Sequence, residues 1–197
     1  ASTNAFTSYD MTAYYFSCTE NFEDCLRLLV EFVSTPCFTE ESVQKELGII
    51  DQEIGMNEDA PDSCVYENLM TAAFSEHPIR IPILGTRETI RQITPEMLNL
   101  CHRAFYTPGN MLLCVVGDVD PQEVTALAAR VLPDNAEPSV TDSRCWPEEM
   151  ACKTHFVSAN MEVAMPMFQL GFKAEPRERG EDAIREEIIG DLAAEAL

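Results

Sequence analysis

Glu46 and Glu53 stand seven residues apart in the stretch KELGIIDQE, residues 45–53, and most of what separates them is apolar. Seven residues is close to two turns of helix, so a helix through them sets the two carboxylates nearly one above the other. On a wheel of about 100° per residue, Val43, Leu47, Ile49, Ile50, Ile54 and Met56 gather on one half, with Gln44, Lys45, Gly48, Asp51 and Gln52 on the other. Glu46 and Glu53 fall about 20° apart inside the apolar arc. The expectation is two carboxylates turned toward a packed face. A lone carboxylate withdrawn from water is strongly penalised unless a cation, hydrogen-bond donors or a proton compensates. Three readings are open on the residues alone: a buried ion pair with an Arg or Lys of another element, a rim position wetter than the wheel suggests, or a divalent metal, with one carboxylate as ligand and the other orienting it. One carboxylate does not hold zinc by itself. His77, His102 and His155 are candidate nitrogen donors, but they are scattered, and each reads more simply as a structural or surface histidine.

The elements that would position these groups can be followed along the chain. TNAFTSYDMTAYYFS, rich in Thr, Tyr and Phe and broken at Ser8, Tyr9 and Asp10, predicts two short strands joined by a turn. NFEDCLRLLVEFVS predicts a helix carrying Phe22, Leu26, Leu29 and Val33 on one face, stopped by Pro36. Thr39 is a good N-cap for the helix of the two glutamates, which the EDAPD stretch breaks near Pro61, and a further helix covers about Cys64 to Phe74. Thr94 before Pro95 opens a helix through Phe105, and Asp120 before Pro121 opens another. Between them MLLCVVGDV is a continuous apolar run, expected as a central strand buried on both faces. The region of Pro133, Pro138 and Pro147 predicts a connection, after which THFVSA and EVAMPMFQLGFK are strand-like and a last helix starts near Gly180. The class is α+β, a mixed sheet with helices packed on it. The organisation is a domain over 1–135, a linker over 136–153 and the beginning of a second, similar domain over 154–197.

Composition narrows the partners. With 13 basic and 34 acidic residues, the formal net charge of −21 repels phosphate backbones and anionic headgroups, which argues against nucleic acid and membrane surfaces. No apolar run approaches the roughly 18 residues a membrane span needs. Of the eight cysteines, Cys25, Cys101 and Cys114 lie in apolar periodic segments and no C-x-x-C pair occurs, so they read as small buried hydrophobes of a cytoplasmic protein. An opening without Met and an end inside a helical pattern read as an internal piece of a longer protein.

Four pieces in register, NAFTSYDMTAYYFS, KELGIIDQEIGMNEDAP, EHPIRIPILGT and FYTPGNMLLCVVGDVDPQEV, resemble the pitrilysin/insulinase family of zinc peptidases, the inverzincins, in its bacterial processing-peptidase-like branch. The resemblance covers roughly residues 1–135, and MPMFQLGFK resembles the start of that family's second domain. It implies a zinc held by two histidines of a His-x-x-Glu-His helix and by a later glutamate, with zinc polarising the scissile carbonyl and lowering the pKa of a bound water. Glu53 matches the third zinc ligand and Glu46 the acidic position that supports it. Asn4, Ala5 and Phe6 match an edge that pairs with an extended peptide substrate. No His-x-x-Glu-His string occurs in the 197 residues. The resemblance places it upstream of Ala1, so the full-length protein, and not this piece, is expected to hold zinc and cleave peptides. A second half, from the same chain or from a partner subunit, would face this one. The competing readings are a noncatalytic subunit of the same architecture and an unrelated acidic interaction domain.

Overall fold

A computed structural model describes residues 1–132, 148–174 and 180–196. By internal contacts the chain forms two compact units, Ala1–Cys64 with Ile81–Cys145, and Val65–Arg80 with Trp146–Leu197. The connection expected at 136–153 lies, from 136 to 147, outside the described residues.

The first unit opens with β1 (Ser2–Thr7) and β2 (Thr12–Ser17), antiparallel and in register from Ser2 opposite Ser17 to Thr7 opposite Thr12. Their turn closes through Ser8 N–H to the Met11 carbonyl at 2.8 Å and the Ser8 hydroxyl to Asp10 Oδ1 at 2.6 Å, the short polar bonds that make such residues turn formers. Helix α1 (Phe22–Ser34) follows and turns Leu26 and Val30 inward. These two meet Leu127 in a small core flanked by Phe16, Phe22, Val131 and Leu132. Tyr14 of β2 donates to or accepts from Tyr106 across 2.8 Å, and the Tyr106 ring stacks on His102 at 4.7 Å. Burial, reinforced by the Tyr106 hydroxyl, pushes the Tyr14 phenol up to about 12.

Helix α2 (Glu40–Glu58) starts where the sequence places its cap: the Thr39 hydroxyl accepts from Ser42 N–H at 3.1 Å while the Ser42 hydroxyl accepts from Thr39 N–H at 3.1 Å. It ends before Pro61, which opens α3 (Pro61–Ala73). A four-residue helix, α4 (Arg87–Ile90), capped by Thr86, packs on α2 and was not expected from the sequence. Helices α5 (Pro95–Phe105) and α6 (Pro121–Val131) begin on the Thr94-Pro95 and Asp120-Pro121 signals.

The class is α+β, but the only sheet among the described residues is the β1–β2 pair. The expected central strand is a correction. MLLCVVGD, 111–118, has no ladder partner, and Leu112 and Val116 are each 93% exposed. A strand exists by its neighbour's hydrogen bonds, and among the described residues no strand lies beside this run. The strand-like stretches at 154–159 and 162–173, in the second unit, likewise form no ladder. That unit holds the rest of α3, the turn at 74–80, the segment 148–174 and α7 (Glu181–Glu195), whose Ile184, Ile188 and Leu192 are exposed.

Candidate functional site

The two glutamates lie on one stripe of α2, as their spacing requires, but the stripe faces solvent. Val43 and Ile54 are buried and Leu47 and Ile50 half-buried, whereas Glu46, Ile49, Glu53 and Met56 are all exposed. The expected burial of the pair is therefore overturned. The physical reason is that the apolar arc spans about half the helix circumference, and only the sector of Val43, Leu47, Ile50 and Ile54 is covered. Glu46 and Glu53 fall just past its border, between that sector and the uncovered Ile49 and Met56. With water at hand, neither carboxylate incurs the desolvation cost that the wheel implied. Neither has an ion-pair or hydrogen-bond partner among the described residues, so the resident Arg or Lys of the alternative reading is not found either.

The paired carboxylates of α2 are instead Asp51 and Glu58. Arg87 Nη1 reaches Asp51 Oδ2 at 3.2 Å, and its Nη2 reaches Glu58 Oε2 at 3.1 Å, so one guanidinium bridges two turns of α2. Arg91 approaches Asp51 Oδ1 at 3.7 Å. Gly55 makes this crossing possible, since a β-carbon there would stand 2.7 Å from Arg87 Nη2. Asp51, Gly55 and Glu58 lie about 120° to 180° around the helix from the two glutamates. Arg87 thus meets α2 from the back and leaves the Glu46–Glu53 stripe free. Sequence reasoning missed Arg87. A helix-interior glycine, disfavoured by about 1 kcal/mol against alanine, was the signal that something approaches closely at that point.

As a metal centre the described residues are incomplete. Glu53 is an unpaired oxygen donor of a kind zinc accepts, but no group of three His, Cys, Asp or Glu side chains that could hold an ion is found among them. His102 Nε2 lies 2.7 Å from the Val33 carbonyl, His77 Nδ1 accepts from Ile79 N–H at 3.2 Å, and His155 is exposed. His102, the histidine in the same unit as Glu53, joins no such group with it. The described residues alone do not fit a zinc ion.

Asn4, Ala5 and Phe6 lie in β1, exposed along its whole length, and the strand pairs with β2 on one edge only among the described residues. The Asn4 side-chain oxygen accepts the Ala5 N–H at 2.8 Å.

Comparison with known proteins agrees with the resemblance drawn from the motifs. The family description "Insulinase (Peptidase family M16)" matches residues 1–87, and "Peptidase M16 inactive domain" matches residues 92–194. The Bacillus subtilis (strain 168) protein named "Uncharacterized zinc protease YmfH" is 40% identical over the whole of this chain, which spans 47% of it. A Rickettsia felis protein also named a zinc protease is 33% identical over 65% of this chain and 31% of its own length. A crystal structure of an M16-like peptidase from Alicyclobacillus acidocaldarius superposes with a TM-score of 0.69 at 39% identity, covering 78% of this chain and 37% of that one. The chain belongs to the insulinase family, peptidase family M16. It spans less than half the length of these relatives.

Proposed function

We propose that the whole protein is a zinc-dependent metalloendopeptidase acting on extended peptides, and that this chain contributes Glu53 as a metal ligand and Glu46 as the acid that supports it. The observation that carries the reading is the family match over this stretch, with Glu46 and Glu53 on one exposed stripe of α2 and Arg87 and Arg91 turned to carboxylates at its back. Relatives named zinc proteases over the same stretch support it. The remaining ligands belong to a His-x-x-Glu-His element that these residues do not contain. Alone, the 197-residue chain neither holds zinc nor cleaves peptides. Asn4, Ala5 and Phe6 form the edge that receives the peptide, which displaces the Asn4 side chain from the Ala5 N–H. A second family subunit or another copy of the protein faces this half, in the cytoplasm, and the chain divides into a domain over 1–135, a linker over 136–153 and the beginning of a second domain over 154–197.

A second reading, a noncatalytic partner subunit, is favoured by one observation, the match of residues 92–194 to a domain described as inactive. The test is peptide cleavage by the full-length protein with and without a chelator. Cleavage that stops on chelation and returns with zinc supports the peptidase. A full-length, zinc-supplied protein that cleaves nothing supports the partner subunit.

A further inference from the structure

The second unit contains a carboxylate in an unusual setting, just past the C-terminal end of α3. Three successive backbone N–H groups, of Ser75, Glu76 and His77, all point at Glu148: Ser75 to Oε1 at 2.9 Å, Glu76 to Oε2 at 2.8 Å and His77 to Oε2 at 2.7 Å. Successive N–H groups converging in this way make a concavity for an anion. The Lys173 ammonium adds a fourth donor, 3.0 Å from Oε1, and its other bonds go to the carbonyls of Glu149 at 2.6 Å and Ala151 at 3.4 Å. Each carboxylate oxygen thus accepts twice, and each of the three ammonium protons has an acceptor. The Lys173 side chain is 8% exposed, and its ammonium stands 4.8 Å from the centre of the Phe74 ring. Such groups are rarely this enclosed unless paired.

The cradle does not depend on its occupant. Phe74 N–H bonds to the Met70 carbonyl at 3.0 Å, Arg80 N–H to the His77 carbonyl at 3.3 Å and Ile79 N–H to His77 Nδ1 at 3.2 Å, so the turn is framed on both sides by its own bonds. The segment that carries Lys173 is seated separately, by Thr154 N–H on the Ala72 carbonyl at 3.0 Å and by Gly171, whose missing β-carbon would stand 3.0 Å from Leu69 Cδ1.

We propose that the N–H groups of Ser75, Glu76 and His77 together with Lys173 form a carboxylate-binding site, which the chain fills with its own Glu148 and which accepts a small free carboxylate when that side chain is removed. Filled in this way, the site pins the segment 148–173, matched by one family description, onto a turn matched by the other. It uses no residue of the Glu46–Glu53 stripe and does not rest on the peptidase reading. Its pairing also explains why Glu148 is held well below the usual carboxylate range, chiefly by the backbone bonds from Ser75 and His77.

The test is amide hydrogen exchange of the full-length protein with Glu148→Ala, in acetate or formate against chloride at equal ionic strength. Exchange at residues 75–77 accelerates by about tenfold or more in the variant and slows again with carboxylate in a saturable way. The wild type does not respond, and Lys173→Met added to Glu148→Ala abolishes the rescue. Unchanged exchange in Glu148→Ala overturns the proposal, as does a carboxylate response that is equal in the wild type or survives loss of Lys173. If Glu148→Ala fails to fold, Glu148→Gln serves instead. It keeps the shape but offers one oxygen where two accepted, so exchange accelerates at one or more of the three amides, and wild-type exchange at all three overturns the proposal.

Discussion

Arg87 lays its guanidinium across α2 at Gly55, where a β-carbon would come within 2.7 Å of Nη2. Alanine at position 55 therefore pushes the guanidinium off its bridge between Asp51 and Glu58. Both ends of that bridge are substantially exposed, so its loss costs about 0–1 kcal/mol, while alanine returns about 1 kcal/mol of helix propensity. Gly55→Ala in the wild type is expected to be close to neutral. In an Arg87→Ala background the same change stabilises by about 1 kcal/mol. Denaturant unfolding of the four proteins in this cycle measures the difference, and equal effects in both backgrounds would show that the bridge is not formed.

Glu148 gives a pH dependence with a definite sign. Its carboxyl lies at about 2 in the folded chain against an ordinary 4.5, so the unfolded chain takes up the proton first as pH falls. The clasp's contribution is complete above about 4.5 and disappears on the way down to about 2. Lys173 is the charged group that faces it. Acid titration of stability should therefore be steeper for the wild type than for Glu148→Gln between those values.

Tyr14 should ionise late, near 12 against an ordinary 10, because its hydroxyl is partly withdrawn from water and bonded to Tyr106. Ultraviolet titration of the phenolates measures this, and Tyr14→Phe removes that phase. The sign for stability is loss with alkali: above about 10 the unfolded chain gives up this proton while the folded one keeps it. A Tyr14 phenol that ionises at the ordinary 10 would contradict the Tyr14–Tyr106 bond.

The formal charge of −21 favours cationic peptides electrostatically if cleavage takes place against this chain. Full-length protein should cleave basic peptides faster than acidic ones of equal length, with the ratio shrinking as salt rises. Equal rates at low salt would confine the acidic charge to the outer surface.

What was legible in the sequence was local. Thr39, Thr94-Pro95 and Asp120-Pro121 mark helix starts because a cap bond is made within three residues, and each is found. The β1–β2 turn at Ser8 and Asp10 follows the same logic. What failed needed a neighbour. The run at 111–118 has strand composition, but composition does not supply a ladder. The wheel through α2 correctly stacked Glu46 above Glu53, yet an apolar arc half a circumference wide does not say which sector is covered. Asp51 shows the converse: placed on the polar half, it is drawn against α4 by Arg87, a residue thirty-six positions away whose role no periodicity reports.

The central claim is that the Glu46–Glu53 stripe faces a metal in the whole protein. Zinc content of the full-length protein, measured beside Glu53→Gln and Glu46→Gln, tests it most directly. The account predicts about one zinc per wild-type chain, a loss of about tenfold or more in zinc affinity for Glu53→Gln, and a smaller loss for Glu46→Gln. Equal zinc in all three, with all three folded, would contradict it.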